Sequence, residues 1–119
     1  MKSVWDGLIV FFGTDDQEAT HRFYNQVLGL PLYKDQGVCR IYQVPGGGGL
    51  GFCTHVPVVK GKKTPILTLL TEDVDGLWKK LHDAGMNPQH PQTNDRFKIY
   101  HFFVADPSGY TVEIQRFLD

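Results

Sequence analysis

Three side chains near the C-terminal end are spaced for chemistry. His101 lies within Tyr100-His101-Phe102-Phe103-Val104, and Glu113 and Gln115 follow within residues 110–115. Successive strand residues point to opposite faces. His101 and Phe103 then share one face, and Tyr100, Phe102 and Val104 share the other. In the later segment Val112 and Ile114 form the apolar face, leaving Thr111, Glu113 and Gln115 opposite. If the turn Asp106-Pro107-Ser108-Gly109 pairs Phe103 with Glu113, His101 sits opposite Gln115 and diagonal to the carboxylate. An imidazole, a carboxylate and an amide in apolar surroundings can hydrogen-bond an organic ligand, hold part of a metal's coordination shell, or move a proton as a general base. They can also simply satisfy one another.

Other reactive types carry weaker signals. His21 and His82 fall off the apolar stripes of their segments and read as solvated; His90, between two prolines, reads as a turn residue. His55 closes a strand-like segment. Cys39 and Cys53 are too few for a disulfide framework and are expected as free thiols in a reducing, cytoplasmic compartment. Cys53 has no evident activating partner. The run Pro45-Gly46-Gly47-Gly48-Gly49 lies between two strand-like segments, without the helix N-terminus and lysine of a phosphate cradle, so it is expected as a flexible hairpin. No Gly-x-Ser-x-Gly nucleophile motif occurs.

The elements that must position these residues come from an internal repeat offset by about 57 residues. Residues 7–16 and 65–73 are each a short apolar run ending in threonine and acids, as a strand does when it feeds a helix N-terminus. Thr14 and Gln17 have capping-box spacing. Ala19, Phe23 and Val27 form one apolar helical stripe; Val74, Leu77, Trp78 and Leu81 form another. Gly29 and Gly85 end the two helices, each followed by an apolar residue, as a Schellman cap prefers. Strand-like segments follow at 31–35, 38–44 and 50–56, then near 87–90, at 97–105 and at 110–117. Read twice, the order is strand, helix, three strands. The spacing predicts two helices of about three turns packed on antiparallel sheets.

The bulk properties set the class. A 119-residue chain with 41% hydrophobic and 21% charged residues is that of an ordinary folded domain. Net charge is -1 with mixed signs, which excludes the basic stripe of a nucleic-acid binder. No apolar run is long enough to cross a membrane as a helix. The eight Phe, five Tyr and two Trp point to an aromatic-rich buried surface.

The segments Phe23-Tyr24-Asn25-Gln26-Val27-Leu28-Gly29-Leu30, Thr71-Glu72-Asp73-Val74-Asp75 with Ala84-Gly85, and Asp106-Pro107-Ser108-Gly109-Tyr110-Thr111-Val112-Glu113 resemble, in order and spacing, the glyoxalase/bleomycin-resistance (vicinal-oxygen-chelate) superfamily. The resemblance spans nearly the whole chain. It implies a single α+β domain of two βαβββ modules forming a cup-shaped half-barrel, with module one at 5–57, a linker at 58–64 and module two at 65–119. It also implies four metal-ligand positions on the first and last strands of the modules. These fall near Ile9, Ile66, the stretch 51–53 and Glu113, and Glu113 alone carries a ligand of the expected kind. The resulting expectation is a cytoplasmic homodimer with no metal and no cofactor, sequestering or carrying a small, partly aromatic organic ligand. The residues expected to line its site are Ile9, Phe11, Phe52, Thr68, Leu70, His101, Phe103, Glu113 and Gln115. The alternatives are a divalent-metal-dependent lyase, isomerase or ring-cleaving dioxygenase, with His101 or His55 in place of the lost histidines, and a metal-free enzyme using Glu113 or His101 as base. No catalytic residue is assigned.

Overall fold

A computed structural model describes residues 4–60 and 65–119. The chain divides into two compact units between Val59 and Lys60. Each is a four-stranded sheet with a helix on one face, so the α+β class and the repeat stand as expected. The expected linker at 58–64 lies partly outside the described residues.

The first unit contains β1 (Ile9–Gly13), helix α1 (Gln17–His21) running directly into a π-helical segment (Arg22–Val27), β2 (Leu32–Asp35), β3 (Cys39–Gln43) and β4 (Gly49–Cys53). Its sheet order is β1-β4-β3-β2. The core is aromatic. Tyr24 from the helical segment stacks on Phe52 at 4.4 Å between ring centroids, and Phe12 stacks on Phe52 at 5.6 Å. Phe23, Tyr24, Tyr42 and Phe52 are completely buried. Burying one such ring contributes roughly 1.5–3 kcal/mol, so this cluster is what holds the helix to the sheet.

The second unit repeats the plan with β5 (Ile66–Leu70), α2 (Val74–Asp83), β6 (Gln92–Asn94), β7 (Ile99–Ala105) and β8 (Thr111–Phe117), in the order β5-β8-β7-β6. Val74 and Leu81 of the expected stripe are buried; Leu77 and Trp78 are half-buried. They meet Phe102, Val104, Val112 and Ile114, the buried face of β7 and β8. The α2 end is a Schellman cap as expected: Met86 N donates to Leu81 O, Gly85 N donates to His82 O, and Gly85 takes φ 78°.

Four expectations need correction. The sheets are mixed, because β1 pairs parallel with β4 and β5 parallel with β8, while the other pairs are antiparallel. The returning last strand slots in beside the first, running the same way. The first helix caps at Asp16, whose carboxylate accepts from Ala19 N, and not at Thr14, whose hydroxyl turns inward to Thr20 at 2.8 Å. That helix also widens: Leu28 N reaches back five residues to Phe23 O, so three uniform α turns do not form. Finally, the strand expected near 87–90 lies at Gln92–Asn94. Pro88 and Pro91 lack the N–H a ladder needs, and Asn87 takes positive φ, so the segment keeps one backbone bond to β7, Gln89 N to Phe103 O at 3.0 Å, and the regular ladder starts just past Pro91.

Candidate functional site

In the second unit, β7 and β8 set Phe103 opposite Glu113 and His101 opposite Gln115, the register that alternation implied. On the other flank of β8, Thr68 of β5 stands beside Glu113. The face away from α2 therefore gathers Thr68, His101, Phe103, Glu113 and Gln115. Glu113 is the hub. It accepts from the Thr68 hydroxyl at 2.7 Å and from His101 Nδ1 at 2.7 Å. With its amide nitrogen turned to the carboxylate, Gln115 donates to both Glu113 oxygens at 3.1 Å. Glu113 and Gln115 are each 8% exposed. A carboxylate so withdrawn from water needs several donors to stay charged. An ionised carboxylate only accepts, so Nδ1–H donates, and a neutral imidazole keeps Nε2 as its free acceptor.

Apolar groups surround this hub. The His101 ring meets Phe103 edge-on at 5.2 Å. Ile66 and Leu70, which alternate with Thr68 along β5, are 56% and 63% exposed. The result is an oriented hydrogen-bonding centre on an apolar, solvent-reachable face. Such a surface can orient a planar organic molecule, and its carboxylate–imidazole pair has the form of a base with its orienting partner.

In the first unit the corresponding open face carries Ile9 and Phe11, both exposed, on the edge strand. The Phe11 ring packs against Gly51; a Cβ there would meet it at 2.4 Å. Phe52 is corrected. It stands opposite Phe12 in the parallel register and is buried under the helix, so it is a core residue and not part of an open face. Near the end of this sheet a cleft of about 490 Å3 is lined by Leu8, Ile9, Tyr33, Ile41, Gln43 and Gly49. The glycine-rich run turns the hairpin between β3 and β4.

The remaining histidines fall differently from expectation. His21 is not simply solvated: Nδ1 meets the Tyr42 hydroxyl at 2.8 Å. Trp78 stacks on both His82 and His90, at 4.8 and 5.2 Å between ring centroids. Cys39 and Cys53 are not free thiols but a disulfide across the β3–β4 pair. His55, just beyond β4, sets Nδ1 3.9 Å from Cys39 Sγ. This group was missed because cysteine counting says nothing of register. The signal lay in the Cys53-Thr54-His55 spacing opposite Cys39.

The positions that the resemblance assigns to metal ligands do not fit a divalent ion. Ile9 and Ile66 offer no donor atom, and 51–53 brings no carboxylate. Glu113 is already engaged by three side chains.

The sequence model of the Glyoxalase/Bleomycin resistance protein/Dioxygenase superfamily matches residues 9–114. A search of curated proteins found no significant match. Among solved structures, TnmS3, an antibiotic binding protein from Streptomyces sp. CB03234, superposes with TM-score 0.81 at 21% identity, over 98% of each chain. A glyoxalase/dioxygenase from Nostoc punctiforme gives TM-score 0.79 at 17% identity, over 100% of this chain and 99% of its own. Lactoylglutathione lyase from Agrobacterium tumefaciens gives 0.72 at 19% identity, over 92% and 91%. At such identities these likenesses speak for fold alone. With two strand–helix–three-strand units and a sequence match over most of its length, the chain belongs to the Glyoxalase/Bleomycin resistance protein/Dioxygenase superfamily.

Proposed function

We propose that the protein binds a small, partly aromatic organic molecule on the open face of its second sheet, and carries or sequesters it without a metal ion. One observation carries the reading: Glu113 is held by Thr68, His101 and Gln115 within a face otherwise made of Phe103, Ile66 and Leu70. The polar centre fixes a ligand's orientation and the apolar rim supplies contact area. Ile9 and Phe11 give the first sheet an apolar face of the same kind. The aliphatic residues at Ile9 and Ile66 support the metal-free part, and the fold shared with an antibiotic binding protein supports the ligand class.

A second reading is favoured by the His101–Glu113 contact, which suits a general base acting on a bound substrate. A metal-dependent lyase, isomerase or ring-cleaving dioxygenase is the third. Elemental analysis of protein purified without chelator or affinity metal separates them, combined with product analysis after incubation with a bound aromatic compound. Binding with no metal held through Glu113 and no turnover is expected. Turnover lost in His101→Gln without metal supports the base. Stoichiometric iron, manganese, nickel or zinc lost in Glu113→Ala overturns the proposal.

A further inference from the structure

We propose a second site, on the other unit: Cys39, Cys53 and His55 bind one zinc-like thiophilic cation when the disulfide is reduced. The two cysteines are directly paired across β3 and β4, with Cα atoms 4.1 Å apart. Their sulfurs and the His55 nitrogen all lie within 4.8 Å of one another. Tetrahedral zinc, with bonds of about 2.3 Å to sulfur and 2.0–2.1 Å to nitrogen, separates its sulfurs by about 3.8 Å and sulfur from nitrogen by about 3.6 Å. The observed Cys39 Sγ to His55 Nδ1 distance is 3.9 Å. Side-chain rotation at the cysteines is the main adjustment needed.

The frame around the three residues is fixed. Thr54 N donates to Val38 O at 2.8 Å, holding the turn that carries His55 against the start of β3, and Thr14 N donates to Cys53 O at 3.0 Å. Cys39 and Cys53 are 6% and 1% exposed, whereas His55 is exposed, so a cation enters from the His55 side and keeps water as its fourth ligand. Two thiolates and an imidazole select a borderline-soft ion over magnesium or calcium. Cys53 falls in the 51–53 stretch weighed above, but Cys39 and His55 fall at none of those positions and Glu113 takes no part, so the ligand set is a different one and does not rest on the proposed function.

The chemistry is a two-electron exchange. A dithiol delivers two electrons and two protons, the Cys39–Cys53 bond opens to two thiols, and the dithiol becomes its own disulfide. The cation then displaces both thiol protons to solvent. A low-molecular-weight disulfide reverses this: it accepts two electrons from the thiolates, leaves as two thiolates, and the ion is expelled as the Cys39–Cys53 bond forms.

The test uses the full chain, reduced with dithiothreitol, freed of it by anaerobic gel filtration, and titrated with Co2+ and then Zn2+. One equivalent of Co2+ should give a thiolate-to-cobalt charge-transfer band that Zn2+ abolishes. The oxidised protein should give none. Cys39→Ser and Cys53→Ser should lose the band. His55→Ala should weaken binding by at least about tenfold, the loss that even outer-sphere partners cause. Glu113→Gln should leave it unchanged. In case a cysteine variant fails to fold, Zn2+ should also slow iodoacetamide alkylation of both thiols in the unsubstituted reduced protein. A reduced protein without the band, or thiols alkylated equally fast with and without Zn2+, overturns the proposal. So does binding lost in Glu113→Gln.

Discussion

At the residue scale, Glu113 organises the second sheet's open face through acceptor bonds from three neighbours. Glu113→Ala would strand Thr68, His101 and Gln115 without their common acceptor. Of the three only Gln115 is buried, and leaving a buried polar group unpaired costs about 1–3 kcal/mol, so urea denaturation should show a loss of that size. A change near zero would mean that water replaces the carboxylate freely. The His101, Phe103, Glu113 and Gln115 arrangement was legible in the sequence because strand alternation and one turn sufficed to set it. Phe52 was not, because its face depends on the parallel register between β1 and β4, which no local pattern encodes. The Cys39–Cys53 bond was hidden for the same reason: it is a property of which residues of β3 and β4 stand opposite.

Element boundaries show where local signals end. The α2 stripe and its Gly85 stop are local, and the helix forms where they point, capped by the Asp73 carboxylate, which accepts from Gly76 N at 3.0 Å. The first helix has an equally clear stripe yet widens into a π-helical turn, a choice set by packing Phe23 and Tyr24 into the aromatic core. Gly13 at the end of β1 tests how tight that unit is. A Cβ there would lie 2.2 Å from Val56 O and 2.3 Å from Pro57 O, both backbone atoms that cannot swing aside. Gly13→Ala should cost about 1–3 kcal/mol or more by overpacking, read as a lowered denaturation midpoint; an unchanged midpoint would show that the 56–57 segment yields. In the second unit the hydrogen bond from the Tyr100 hydroxyl to Asp75, then burial, raises the phenol above its ordinary value. A raised folded value stabilises fully below the unfolded value of about 10 and fades as pH rises through the folded one. Tyr100→Phe should therefore flatten the alkaline fall in stability, and an identical pH profile would contradict that cause.

At the scale of the whole molecule, β1 and β5 are edge strands that expose Ile9, Val10 and Phe11 in one unit and Ile66 and Leu70 in the other. Apolar edges invite pairing with another chain. The protein should accordingly run as a homodimer in light scattering at micromolar concentration, at twice its 13.5 kDa mass; the monomer mass alone would count against it. Among the described residues no helix is long and apolar enough to cross a membrane. We propose above that Phe103 and the Glu113 hub form a ligand-binding face. Its most direct test is titration of metal-free protein with a panel of planar aromatic compounds, followed by NMR shifts of the His101 ring and repeated on Phe103→Ala. Saturable shifts with at least one compound are expected. Losing one aromatic contact, about 0.5–1.5 kcal/mol beyond area burial, should weaken binding by roughly twofold to thirteenfold in the variant while it stays folded. Saturable binding that leaves the His101 signals unmoved, and is equally tight in Phe103→Ala, would contradict it.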